Sequence, residues 1–359
     1  MRADAEGFLR PSVDASRCVD CGLCAKACPS LNRFDVREPM AVFAARTKDQ
    51  ALRSASSSGG VFSLLARQVL AAGGVVFGAA FDPETCGVRH IAAEDEAGLA
   101  KLRGSKYVQS DLRGVFAMVR AHLKTGRKVL FSGTPCQVAG LRHFLGCNYA
   151  NLLTVDMICH AVPSPLAWRK YLDERIAAEG KSGVRLVNAS FRDKALGWYQ
   201  FSVLLSFADG SESRRDILHD LFLQGFLTEL YNRPSCHDCQ CRELRSGADI
   251  TIADYWMVHL KFPGIDDDRG TSLVMVNTER GKAAWDGIAS GMETWVSDFE
   301  DVKKTNPAVL RSHPVAPNRA RFFAEVDAQG FSKAVAALKP PVEPPPQWLA
   351  LMGRGKVES

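Results

Sequence analysis

Cys18, Cys21, Cys24 and Cys28 follow one another as Cys-x2-Cys-x2-Cys-x3-Cys, and Pro29 closes the run. Thiolates two residues apart can wrap one corner of an iron–sulfur cubane, and this spacing is that of the bacterial ferredoxin run. Gly22 permits the tight turn this needs, and Pro29 stops the chain continuing as helix. A structural zinc site is the competing reading. Zinc usually takes two separated Cys-x2-Cys pairs rather than one run closed by proline. The run therefore predicts a 4Fe–4S cluster.

A second group of cysteines stands where predicted elements end. Cys136 follows Gly133-Thr134-Pro135 at a helix start, and Cys159 ends a strand just before His160. Cys236 and Cys239 form a Cys-x2-Cys pair after Pro234, with Cys241 two residues on. Parallel strands of a doubly wound sheet present their carboxyl ends on one edge. Cys136 and Cys159 can meet there, and the loop of Cys236 and Cys239 can close over them as a four-thiolate site. The helix dipole would favour a thiolate at Cys136. Two alternatives stay open on the residues alone. Cys136 could be a lone nucleophile at its helix N-terminus, which would make the protein a transferase that keeps its cluster for structure. Cys159 could be a buried apolar filler. Cys86 and Cys147 have no companions and read as structural. Cys241 is awkwardly close to Cys239 for one cluster, and His160 reads as a local polar contact rather than a ligand.

Two polar loops could hold phosphate. Ser56-Ser57-Ser58-Gly59-Gly60 opens an apolar-periodic helix, where backbone N–H groups and hydroxyls suit a pyrophosphate. Arg103-Gly104-Ser105-Lys106-Tyr107 combines cations, a small hinge and a ring. Each competes with an ordinary capped loop or solvated turn. Asp254-Tyr255-Trp256 could stack on a ring system or form an aromatic core edge.

The elements that must position these residues read as α/β. Helices are expected over 61–72, capped by Ser58, and over 111–124, 136–145, 165–178 and 216–230. Strands are expected over 75–81, 128–132, 152–158, 184–191, 199–207 and 249–253, with 271–277 as the last core strand. The fold class is a mixed or doubly wound sheet body with a small N-terminal ferredoxin-like segment. The expected divisions are 1–36 for the cluster segment, 37–125 and 126–338 for the two parts of the body, and 339–359 for a proline-rich tail.

The chain has 359 residues, 46% of them hydrophobic, and a net charge of +5. That charge is too small and dispersed to argue for nucleic acid. Its longest uncharged apolar stretch, residues 68–81, falls short of the ~20 residues a membrane span needs. No signal-like apolar region opens the chain, so a cytoplasmic location is expected. Eleven cysteines in a reducing compartment point to metal or cluster ligation rather than disulfides.

Taken together, several segments resemble the beta-subunit family of coenzyme F420 hydrogenases and dehydrogenases. They are residues 56–66 (SSSGGVFSLLA), 102–112 (LRGSKYVQSDL), 130–141 (LFSGTPCQVAGL), 155–165 (VDMICHAVPSP), 236–241 (CHDCQC), 248–256 (ADITIADYW) and 305–314 (TNPAVLRSHP). The resemblance implies an α/β fold binding FAD and 4Fe–4S clusters. It implies FAD contacts at Ser57, Ser58, Gly59, Gly60, Ser105, Lys106 and Tyr107, and around Gly133 and Thr134. It strengthens the second cluster at Cys136, Cys159, Cys236 and Cys239. Ala253-Asp254 departs from a Gly-Asp frequent in the family, which leaves the role of Asp254 open.

The function expected from this is an oxidoreductase. A ferredoxin or other low-potential donor would load the first cluster, the second would relay to FAD, and FAD would reduce coenzyme F420 or another small organic acceptor. The rival is an electron-transfer subunit without its own substrate site, docked on a partner enzyme. Residues 4–11 resemble the segment that joins two cysteine runs in relatives. Either Cys28 completes a single-cluster site or a further run precedes Met1, and the second is the favoured expectation.

Overall fold

Apolar runs form buried strands here wherever helices can cover both of their faces. The computed structural model describes residues 1–340, so the proline-rich tail lies almost wholly outside the described residues. In chain order the strands are β1 Arg2–Ala3, β2 Leu9–Arg10, β3 Ala41–Thr47, β4 Val75–Asp82, β5 Gly87–Ala93, β6 Ser110–Asp111, β7 Val129–Ser132, β8 Leu152–Met157, β9 Leu186–Asp193, β10 Ser202–Phe207, β11 Glu212–Asp216, β12 Ile250–Asp254, β13 Ser272–Val276 and β14 Met292–Ser297.

Nine strands make one mixed sheet in the order β14-β3-β13-β12-β8-β7-β4-β5-β6. β12, β8, β7 and β4 run parallel, and antiparallel strands flank them. Alternate residues serve opposite faces, as the strand period requires. Val76 packs with Val61, Leu65 and Val69 of the helix Val61–Ala71. Val75 and Phe77 pack with Val115 and Val119 of the helix Val115–Lys124 and with Val138 and Leu141 of the helix Pro135–Leu145. Being covered on both sides is why these strands read as unbroken apolar runs.

A second, antiparallel sheet has the order β11-β10-β9. The helices Pro165–Ala178, Leu221–Leu227, Arg319–Gln329 and Phe331–Leu338 cover it around Trp168, Phe222, Tyr231 and Phe331. Arg175 lies inside this core, where its guanidinium meets Asp220 at 3.1 Å and the carbonyl of Ser213 at 2.9 Å.

Several expectations are corrected. Ser58 does not cap the first long helix: Gly60 stands at the N-cap with φ 90°, and no side chain caps it. The helix expected from residue 111 starts at Val115, because Asp111 pairs in β6 and Gly114 turns the chain with φ 80°. The helix expected from residue 216 shrinks to Leu221–Leu227, because Asp216 ends β11 opposite Ser202 and Asp220 caps Leu223. β13 is not the last strand of the sheet, since β14 adds to β3 at its edge.

The leader is tied to the body rather than loose. Phe8 is fully buried, Ser164 Oγ donates to the carbonyl of Glu6, and Arg319 Nη1 grips the Glu6 carboxylate at 2.8 Å. Gly7 has φ 83°, and a Cβ there would lie 2.7 Å from Leu166 N, so this close approach requires glycine.

Candidate functional site

The carboxyl ends of the parallel strands open into one cavity of about 1980 Å³. A pocket for one small molecule is typically ~300–1,000 Å³, so there is room for more than one group. β7 ends at Ser132 and leads through Gly133 and Thr134 to Cys136. Its neighbour β8 leads to Cys159, and β12 to Asp254 and Trp256; all of these line the wall. The loop after Pro234 brings Cys236, Cys239 and Cys241 to the same wall.

The five thiols influence one another's ionisation. Burial pushes the Cys159 thiol well up, and the Cys236 and Cys136 sulfurs add to this. Burial also raises Cys236 to about 12, with Cys136 next. Cys136 is exposed on the cavity wall, and desolvation there raises its thiol. Cys239 alone goes down, to about 6, because the Cys241 thiol hydrogen-bonds to it. Crowded soft donors that resist ionising one by one fit a shared metal cluster, whose positive charge would stabilise all the thiolates together.

The first cysteine run lies at the cavity's rim. Cys18, Cys21 and Cys24 are exposed, Cys28 is half-buried, and Cys24 and Cys28 line the cavity. Gly22 has φ 67°, as the tight turn requires. The Asn32 amide donates to the carbonyls of Ala25 at 2.7 Å and Cys28 at 3.1 Å, which closes the loop. Asn32 O also accepts from His143 Nε2 at 3.2 Å, docking the run on the helix that starts beside Cys136.

The two polar loops meet across the cavity. Ser57 Oγ accepts from the Ser105 backbone at 2.7 Å and lies 3.1 Å from Ser105 Oγ. Ser57, Ser58, Gly60, Ser105, Lys106 and Tyr107 line the wall with Gly133 and Thr134. Gly59 does not. It packs beneath, where a Cβ would lie 2.2 Å from Ala45 O and 2.8 Å from Ser272 N. Three features fit an anionic dinucleotide. Ser58 Oγ is buried without a partner. The uncapped helix N-terminus at Gly60 offers free N–H groups. Lys106 has no carboxylate beside it: its Nζ donates to the carbonyls of Lys101 and Arg103 at 3.0 and 2.6 Å, and burial brings its ammonium down to about 7.

Sequence reading missed Arg192. Its side chain is 3% exposed, its Nη1 lies 3.0 Å from Asp254 Oδ2, and it sits over the Phe201 ring at 4.0 Å. Its Nε and Nη2 are buried without partners on the cavity wall. Asp254, whose role the sequence left open, thus anchors this guanidinium and also accepts from Trp198 Nε1 at 2.9 Å. Trp256 stacks on Trp198 at 5.0 Å between centroids, so part of the aromatic set is a core edge. Cys86 and Cys147 stand apart, and Cys86 O accepts from Trp168 Nε1 at 2.8 Å.

This is the frame of an iron–sulfur electron-transfer subunit of an oxidoreductase. Residues 42–116 match the N-terminal part, and residues 126–302 the C-terminal part, of the coenzyme F420 hydrogenase/dehydrogenase beta subunit. The chain belongs to that family, and its residues 10–34 match a 4Fe-4S binding domain. Among solved structures it is similar to a chain of the F420-reducing NiFe hydrogenase complex from Methanosarcina barkeri. That match has a TM-score of 0.50 and 17% identity, covers 84% of this chain and 93% of that one, and is a likeness of fold. No curated protein matches the chain. Among the described residues no helix is long and apolar enough to cross a membrane.

Proposed function

We propose that this chain is a cytoplasmic iron–sulfur flavoprotein oxidoreductase. It takes electrons from a ferredoxin-like donor at a cluster on Cys18, Cys21, Cys24 and Cys28. A second 4Fe–4S cluster on Cys136, Cys159, Cys236 and Cys239 and an FAD carry them to a two-electron acceptor, coenzyme F420 or another organic molecule. The observation that carries this reading is the single cavity whose wall holds Cys24 and Cys28, the five later cysteines, and the cradle of Ser57, Ser58, Gly60 and Lys106.

When bound, the clusters supply one-electron steps and the flavin converts them to a two-electron exchange. The chain's own residues do the rest. Gly60 and Ser58 offer N–H and hydroxyl groups to a pyrophosphate, and Lys106 neutralises it. Tyr107, Trp256 and Phe226 wall the space for a planar ring and keep water from it. Arg192 presents its free edge to an oxygen-bearing part of the flavin or acceptor.

The test is anaerobic purification with absorbance spectra and measured iron and flavin. The expected result is about eight irons, for two cubanes, and one FAD released on denaturation. Folded protein that yields no flavin and cannot be reconstituted with any would refute the flavin assignment.

One observation favours the rival reading, a subunit docked on a larger enzyme. Val13, Val19, Leu23, Leu31 and Val36 are exposed in and around the first cysteine run, at 51–82%. Such an apolar collar suits a partner surface. Acceptor reduction by the isolated chain would argue against this rival, and reproducible co-purification with a catalytic partner would support it.

A further inference from the structure

Behind the cysteines the fold gathers donors of another kind. His160, Glu229 and His313 each offer one ligand atom, and these atoms lie within 4.8 Å of one another. His160 Nε2 is 2.5 Å from Glu229 Oε1, and His313 Nδ1 is 3.9 Å from the same oxygen. The two closest atoms are buried in ion-pair contact with each other, without the alignment of a good hydrogen bond. Buried polar atoms are seldom left this way. A cation bound here would replace the direct His160–Glu229 contact, drawing the two atoms apart to its coordination distance.

The groups around these donors hold them in place. Asn232 Nδ2 donates to Glu229 Oε2 at 2.6 Å, which fixes the carboxylate and leaves Oε1 to the two histidines. His237 Nδ1 lies 3.0 Å from the carbonyl of His313, and Arg242 Nη2 donates to the carbonyl of His160 at 3.0 Å. Glu229 holds a left-handed backbone, φ 63°, which a non-glycine residue adopts only under constraint. His160 and His313 both line the main cavity.

We propose that His160, Glu229 and His313 form a mononuclear site for a divalent ion of the zinc class, separate from the cysteine ligands. Two imidazoles and one carboxylate are the donor set of open zinc sites and of non-haem iron(II). Three protein ligands leave at least one position vacant, beside a cavity that both histidines line. A water, or an oxygen of a small molecule in the cavity, completes the coordination. His160, read from the sequence as a local polar contact, becomes a ligand because the fold brings Glu229 and His313 to it.

The test uses the full chain with its clusters, prepared anaerobically, exposed to zinc sulfate and then washed in metal-free buffer. Zinc and iron are measured by mass spectrometry, and crystals are measured on both sides of the zinc absorption edge. The expected result is about one retained zinc per chain, with its anomalous peak among the three side chains. Glu229→Gln and His313→Ala should each weaken zinc retention by at least about tenfold, the loss seen even for outer-shell changes, with iron content unchanged. His313 is 37% exposed, so its removal leaves the fold intact. No retained zinc, equal retention in both variants, or a peak among the cysteines would overturn the site.

Discussion

The rings of Phe34 and His143 stack face to face, 4.5 Å between centroids and 8° from parallel. Phe34 follows the first cysteine run, and His143 lies on the helix that begins beside Cys136. Seven residues of helix separate Cys136 from His143, or about 10 Å along the axis. One helix therefore sets the distance between the two cysteine sites.

His143→Ala should loosen the cluster segment without unfolding the body. Stacked aromatic pairs contribute about 0.5–1.5 kcal/mol. Hydrogen exchange should speed up in residues 18–34 and stay unchanged in β7 and β8. Uniform protection across the chain would show that the stack does not hold the segment.

Cys159→Ser or Cys236→Ser should lower iron from about eight to about four per chain, with the remaining cluster still visible by electron paramagnetic resonance after reduction. Cys241→Ser should keep the full iron content. The reverse pattern would put Cys241 in the ligand set in place of Cys159.

Lys106 gives the flavin-free protein a pH dependence. Burial holds its ammonium down at about 7, whereas an unfolded lysine titrates near 10.4. Between these values the unfolded chain binds a proton that the folded chain lacks, so stability rises with pH across that window. A bound pyrophosphate favours the ammonium, so flavin affinity should be greatest below pH 7 and fall as pH rises above it. Lys106→Met should flatten both trends and weaken FAD binding by about 10- to 100-fold, as expected for one charge-assisted hydrogen bond. Thermal melts and fluorescence titration from pH 6 to pH 10 measure both, and an unchanged slope in the variant would remove Lys106 from the cradle.

Gly59→Ala should act on stability before it acts on any ligand. Its Cβ would collide with backbone atoms of β3 and β13, which cannot turn aside. A loss of about 2–3 kcal/mol in urea unfolding of the flavin-free chain is expected. Equal stability with lost flavin would instead place this glycine against the cofactor.

Much of the site was legible because its parts lie at element ends. The turn from β7 through Pro135, Cys159 just past the end of β8 and the Cys236–Cys239 loop all announce themselves through proline, glycine or cysteine spacing. β3 and β14 were not legible. Residues 41–47, AVFAART, are mostly small and apolar with no clean alternation, and β14 alternates because it sits at a sheet edge. Glu229 gave no signal, and His313 stood only within the family-like segment 305–314; the tertiary fold alone brings them to His160. Arg192 looks in sequence like an ordinary charged residue near the end of β9, and only burial without full pairing marks it.

The placement of β3 bears on how the chain is made. Both its neighbours, β13 and β14, belong to the last third of the sequence. During synthesis β3 therefore waits with both edges open, a template for wrong pairing until the final strands emerge. The first cysteine run lies just upstream of β3, and its loop is closed by Asn32 before the helix bearing His143 is made. All four of its cysteines are made long before β13 and β14. A ribosome-stalled chain lacking β13 and β14 would thus carry the whole cysteine run on a body whose β3 has both edges unpaired.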